Sequence, residues 1–394
     1  MSPLSSDHLG YLKSTIAVPT EQAALISANY DGASLHEFLQ SALAYAPDYG
    51  HAMSNHLPMA LHAAWQMGAD KPRLAQLFAH EQAKLKASPI ATPSQHESAR
   101  LAAVKRSQQV KSAIGLHAEA DQLSNEWLSY RGDNQGYAWL VSYFKALLEQ
   151  LTPAEVIRSH LTSLLKSPHA FAFHGMIRTA HAWEAGHSAE IAAALATWAS
   201  WWEVLPAISQ TTTAAQTPFT LEEWTQQLLQ VSRQWQSPVP MISNRIRCAA
   251  ETSHYAALAE RLAPVATLAE RRRQLLGLAR LAYLHSTNFT VLHLITGLRA
   301  LGVLLPLFAA DCDQASLIAA LDRATVAGWM AARVQWQEQL PEYTEVDWCT
   351  LHAAALAQDD EHVIKGVHAC WFEDKLEPHR DWRKVAQRML KPGT

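Results

Sequence analysis

Apolar residues recur at spacings of three and four along nearly the whole chain, and runs of alternating β-branched residues are scarce. That periodicity commits the chain to helices stacked on helices, because each apolar stripe must be buried against another. The 394 residues contain only 15 glycines against 14 tryptophans, which suits thick helix packing rather than a turn-rich β architecture. The expected fold is therefore all-α, a single large bundle-like domain spanning residues 1–394 and enclosing an apolar pocket.

Local signals place some of the helix boundaries. Thr152-Pro153-Ala154-Glu155 carries a cap, a first-turn proline and the glutamate of a capping box in the right order. Thr220-Leu221-Glu222-Glu223 repeats the pattern. Between them, residues 210–218 are rich in Thr, Ala and Gln and read as a mobile loop. A second loop falls near 88–94, and the chain after Pro392 reads as frayed. No repeat of fixed period stands out.

The charge balance excludes some classes of partner. A formal net charge of −4 gives no basic excess for nucleic acid, and no stretch reaches 18 uninterrupted apolar residues. Arg271, Arg272 and Arg273 form the one basic cluster and read as a solvated helix face. The cysteines at 248, 312, 349 and 370 have neither CxxC spacing nor a disulfide framework. A cytoplasmic protein with reduced thiols is the expectation.

Familiar catalytic fingerprints are missing: no GxGxxG, no Walker loop, no GxSxG, no HExxH. What the chain does have is 20 histidines, and a few sit in distinctive surroundings. His56, in Ser54-Asn55-His56-Leu57-Pro58, stands at a helix entrance set by Pro58. Ser167-Pro168 reads as the start of a helix that aligns Phe171, His174, Arg178 and His181 on one face, with Gly175 letting a ligand come close. His293, in Val291-Leu292-His293-Leu294-Ile295, has no charged neighbour and should be buried and neutral, the form a metal requires. Asp359-Asp360-Glu361-His362-Val363-Ile364-Lys365 is an acidic helix start that puts His362 and Lys365 on one face. The positive helix end disfavours both cations there, and a neutral Lys365 can capture carbon dioxide as an anionic carbamate ligand. His51, His62, His169, His187, His285 and His368 read as solvated or incidental, and Trp198, Trp201 and Trp202 as packing.

Several segments together resemble the questin oxidase-like family. They are Asn55 to Ala60, Ala172 to Arg178, Ala193 to Ala199, Phe289 to Gly297 and Glu361 to Lys365. The resemblance implies oxidative cleavage of polycyclic aromatic ketones such as anthraquinones, described either as an NADPH-dependent Baeyer–Villiger reaction or as dioxygen chemistry at a mononuclear non-haem iron. It implies His56, His174, His293, His362 and a carboxylated Lys365 as ligands of Fe(II); His181, on the same helix face as His174, is an alternative ligand. An oxidoreductase acting on a small aromatic or polyketide-like substrate is the leading expectation. A metal-free, NADPH-driven oxidase using Arg178 and His181 as acid, base and oxyanion support is the second. A non-catalytic helical binding protein is the third.

Overall fold

A computed structural model of the protein describes residues 32–50, 52–88, 126–208, 217–309, 311–379 and 381–390. Among them sixteen α-helices follow one another, and one two-stranded antiparallel pair, β1 (Asp48–Tyr49) and β2 (Met53–Ser54), is the sole sheet. The all-α expectation holds. The first helices are α1 (Gly32–Ala42), α2 (Leu57–Gln66), α3 (Lys71–Gln82), α4 (Tyr137–Leu148) and α5 (Pro153–Leu164). Next come α6 (His174–Ala185), α7 (Ser188–Ser200), α8 (Leu221–Gln234), α9 (Ile242–Ala250) and α10 (Ser253–Leu258). The series ends with α11 (Leu268–Leu284), α12 (Phe289–Leu304), α13 (Gln314–Ala332), α14 (Trp348–Leu356), α15 (Glu361–Leu376) and α16 (Asp381–Leu390). Most of the 210–218 loop, most of the 88–94 segment and the tail after Pro392 lie outside the described residues.

The helix starts follow the local chemistry. Both capping boxes form, Thr152 with Glu155 and Thr220 with Glu223, so each cap satisfies backbone donors that a helix end leaves open. At α12, Asn288 Oδ1 accepts from the backbone N–H of Thr290 and Val291; at α15, Asp360 accepts from that of His362. One start differs from the sequence expectation. The helix read from Ser167-Pro168 begins only at His174, because Phe171, Ala172 and Phe173 take left-handed φ values of 55°, 54° and 71°.

Three consecutive left-handed residues without a glycine cost about 1 kcal/mol or more each. Packing offsets that cost. Phe171 stacks on Trp201 with ring centroids 4.2 Å apart, and Phe173 wedges between α12 and α13. A Cβ on either Gly297 or Gly328 would come within 3.2 Å of the Phe173 side chain, so both glycines are the seat of that ring.

Four helices form the centre. α2 packs on α6, α6 on α12, α12 on α15 and α15 back on α2, closing a ring. Their apolar side chains belong to the main core, with Leu57, Leu61, Ile177, Val291, Ile295, Ile364 and Val367 at 1% exposure or less. The stretch Phe289–Leu307 is apolar and long enough to cross a membrane by length and composition, yet 83% of its most apolar window is buried inside the protein. It is the bundle's core helix.

The basic cluster is not a solvated face. Arg271 and Arg272 are buried, Arg271 Nε 3.1 Å from Asp322 and Arg272 against Glu373. α11 is packed on both α12 and α16, so two of its three arginines turn inward, where each finds a carboxylate.

Candidate metal centre

Each helix of the ring contributes to one cluster from its N-terminal end. His56 is the N-cap of α2, His174 the first residue of α6, His293 the fifth of α12 and His362 the second of α15. Ring centroids lie 4.6 Å apart for His56 and His174, 4.4 Å for His56 and His362, and 4.9 Å for His174 and His293. His293 and His362 complete the group at 5.5 Å. Four residues spread over three hundred positions thus converge within one site.

The ring nitrogens are sorted. His174 Nδ1 donates to the Phe171 carbonyl at 2.7 Å, and His293 Nδ1 to the Phe289 carbonyl at 2.8 Å. His56 Nδ1 lies 3.1 Å from Glu361 Oε1, and His362 Nδ1 is 3.4 Å from Asp360 Oδ1. An Nδ1–H committed to an oxygen leaves the Nε2 lone pair free, the arrangement that fixes metal-binding histidines. The left-handed turn at Phe171 therefore aims His174, since the turn carbonyl sets the ring's tautomer.

Burial keeps these imidazoles neutral. Desolvation, then the neighbouring cations and imidazoles, hold His56 and His174 well below the ordinary histidine value. His293 is held well below it by the same two causes, and His362 is lowered chiefly by burial. The His56–Glu361 contact is thus a hydrogen bond from a neutral ring to a carboxylate, not an ion pair. Burial raises the pKa of Glu361, but His362, its own backbone N–H, Lys365 and Lys84 more than offset that, so it stays ionised.

One contact tests whether a cation suits the cluster. His56 Nε2 and His174 Nε2 stand 2.7 Å apart. With both Nδ1 atoms protonated, two lone pairs face each other at that distance, an arrangement that needs a positive centre shared between them. His362 Nε2 is buried with no hydrogen-bond partner. The donor set, neutral nitrogen throughout, fits a borderline transition metal rather than calcium or magnesium.

Lys365 lies one turn beyond His362 and is 2% exposed. Desolvation brings its pKa down to about 8, against the opposing pull of Glu361, Glu81 and Asp360. No carboxylate among the described residues comes within ion-pair distance of its ammonium, so the pairing with Glu361 that a helix would permit does not form.

A cavity of about 230 Å³ reaches this cluster. His56, His174, His293 and His362 line it together with Phe171, Met241, Phe289 and Arg245. Arg245 donates through Nε to the Ala331 carbonyl and through Nη1 to those of Val239 and Pro240. Its Nη2 has only a long 3.4 Å contact with Thr290. No acid pairs with it among the described residues, which leaves a positive charge and a spare donor beside the cavity. A larger open cleft of about 510 Å³, between Tyr343 to Val346 and Asp374 to Gln387, contains none of the clustered residues.

The chain belongs to the questin oxidase-like family. The family model matches residues 53–370, a span that contains three helices of the ring, the first ten residues of α15 and every clustered residue. Among curated proteins none matches the chain. An oxidoreductase of the questin oxidase-like type is thereby the class of this protein.

Within this family member the other expected site residues lie elsewhere. Arg178 Nε and Nη2 grip both oxygens of Glu190 at 2.6 and 2.9 Å, and Nη1 reaches Thr197 at 3.3 Å. That buried pair ties α6 to α7. His181, two turns along α6 from His174, meets His62 instead. Gly175 is not a place of close ligand approach: a Cβ there would strike Trp198 at 2.8 Å, so its small size serves helix packing. His62, His169 and His368 are buried rather than solvated. Glu361 is the site residue that the histidine count could not flag, although its place just before His362 at an acidic helix start was visible.

Proposed function

We propose that this protein is a non-haem iron oxygenase that uses dioxygen to cleave a C–C bond of an aromatic or polyketide-like ketone of the anthraquinone type. The observation that carries the reading is the set of four imidazoles, three buried and His362 partly buried, whose Nδ1 atoms face oxygens and whose other ring nitrogens converge. His56, His174, His293 and His362 would hold Fe(II). A bound iron supplies the one-electron chemistry that lets dioxygen react with a closed-shell organic substrate.

Lys365 completes the proposed ligand set as a carbamate. Its neutral Nζ forms a bond to the carbon of CO₂ and loses one proton, so a cationic side chain becomes an anionic oxygen donor. A pKa near 8 leaves a usable neutral fraction at neutral pH, and the buried setting favours the modified form once a cation is beside it. Glu361 holds the Nδ1 proton of His56, and Asp360 faces that of His362.

The substrate side is apolar with one cationic feature. Phe171, Met241 and Phe289 offer flat and pliable surfaces to a fused ring system. Arg245 Nη2 can donate to a ketone or phenolate oxygen. The cavity's size suits a small polycyclic molecule.

Metal analysis and turnover test the reading together. Protein stripped of metal should lose dioxygen consumption with an anthraquinone-type ketone and regain it with Fe(II) alone. Full turnover at sub-stoichiometric metal would sink the iron proposal in favour of an NADPH-driven, metal-free oxidase. That second reading has less support, because the guanidinium of Arg178 is committed to Glu190 and Thr197. A non-catalytic scaffold would leave two imidazole lone pairs facing each other to no purpose. NADPH as an external reductant of the iron remains part of the proposal, and adding it to the assay shows whether turnover needs it.

A further inference from the structure

The residues of the cluster have counterparts deeper in the same ring of helices. His62 lies six positions after His56, His181 seven after His174, His368 six after His362, and Arg299 six after His293. At about 1.5 Å per residue, six or seven positions is roughly 9 to 10 Å along a helix. The two sets stay together at both depths, so the four helices run parallel and the second set forms a layer beneath the first.

We infer that this second layer is a closed site for a divalent transition metal of the zinc type, bound by His62, His181, Glu184 and His368. The ligand atoms of His62, His181 and Glu184 all lie within 4.8 Å of one another, and the Nδ1 atoms of the two histidines are 2.8 Å apart. The His368 ring centroid is 5.9 Å from that of His62 and 5.5 Å from that of His181.

Two sealed atoms lack partners where such an ion would need them. His368 Nδ1 and Glu184 Oε2 are both buried and make no hydrogen bond. Glu184 Oε1 is taken by Arg299 Nη2 at 2.6 Å, which orients the carboxylate and leaves Oε2 to serve as the anionic ligand. Gln66 contacts His62 Nε2 at 3.4 Å, and its amide can turn its oxygen to that ring N–H, freeing Nδ1.

The donor set decides the metal class. Three neutral imidazoles and one carboxylate suit zinc or iron(II) and reject calcium and magnesium, which want oxygen throughout. Arg299 opposes a cation, and Glu184 is the charge that offsets it. All three histidines are 3% exposed or less, so the site is closed, as structural zinc sites are. Such an ion would clamp α2, α6 and α15 directly below His56, His174 and His362 and hold their spacing.

The test counts metal per chain in the full-length protein. Stripped protein is titrated with zinc(II) and, separately, iron(II), and bound metal is measured after gel filtration. Wild type should bind two equivalents. A His174→Ala, His293→Ala variant should keep one, and an His181→Asn, Glu184→Gln variant should also keep one. Glu184→Gln alone preserves the side-chain shape and its bond to Arg299, so its loss of an equivalent in a chain of native circular dichroism cannot be put down to unfolding. A second-layer variant that binds as much metal as wild type, or a first-layer variant that binds none, overturns the inference. If only the second-layer variants lose metal, this site stands and the iron proposal for the first layer falls.

Discussion

Replacing Gly175 by alanine should damage the candidate metal centre without touching any proposed ligand. A Cβ at this position would sit 2.8 Å from Trp198 Cδ1 and Cγ and 2.9 Å from its Cα. The indole cannot swing aside freely, because its Nε1 donates to the Ser167 carbonyl at 2.9 Å, and no rotamer moves a backbone Cα. Ordinary contact therefore requires α6 and α7 to separate by roughly 0.6 Å, about the tolerance within which a site must be held. Overpacking of this kind costs about 1 to 3 kcal/mol, and the better helix propensity of alanine returns up to about 1, so a net loss of about 1 to 2 kcal/mol is expected. His174 is the adjacent residue, and any displacement alters its 2.7 Å approach to His56. Denaturant unfolding reads the stability change, and chelator competition for iron(II) should show weakened binding in the folded variant. A change below about 0.5 kcal/mol with unaltered iron affinity would refute the claim that this glycine sets the position of His174.

Three further outcomes are expected. Glu361→Gln keeps the shape of the side chain but removes the charge that polarises His56, so iron(II) affinity should fall about 10- to 100-fold; a change under threefold would remove Glu361 from the site. Arg245→Gln should raise KM for an anthraquinone-type ketone about tenfold while kcat changes little, and Arg245→Lys should recover part of the loss; an unchanged KM in folded protein assigns Arg245 to holding its backbone carbonyls alone. His160, buried against Tyr143 and the Val156 carbonyl, has its pKa depressed to about 4, so the unfolded chain takes up a proton that the folded chain refuses. Stability should therefore fall as pH drops below about 6.5, by about 2 kcal/mol between pH 7 and 5 from this residue, and level off below about 4; a His160→Gln variant with the same pH slope as wild type would contradict this.

The sequence made the helix ends and the separate histidine contexts readable, because caps, first-turn prolines and apolar flanks are local signals. Thr152 and Glu155 form their box as expected, and His293 is buried as its flanks imply. Tertiary packing decided the rest. The start of α6 was misplaced because the left-handed turn from Phe171 to Phe173 is stabilised by Trp201, Gly297 and Gly328, all distant in sequence. Arg271 and Arg272 looked solvated because Asp322 and Glu373, which neutralise them, lie on other helices. His62 and His368 looked incidental for a similar reason: the six- and seven-residue offsets that link them to His56 and His362 acquire meaning only once the helices are known to run parallel.

That parallel arrangement also bears on the charge at the site. Four helix N-termini meet at the cluster, and each brings about half a positive charge from its aligned peptides. Neutral imidazoles are favoured in such a field, which agrees with the lowered pKa of all four histidines. A divalent cation bound only by neutral nitrogens is not favoured there, because the helix ends repel it. The proposal becomes electrostatically consistent only when negative charge joins the set: the ionised Glu361 behind His56 is one source, and the proposed carbamate on Lys365 would be a second. An unmodified ammonium at Lys365 would add a further positive charge to a site already short of negative charge. In the proposed reading a carbamate on Lys365 would add to the charge of Glu361 the second negative charge that a divalent ion needs here, and the same converging helix ends would then favour the anionic oxygen of a substrate beside Arg245.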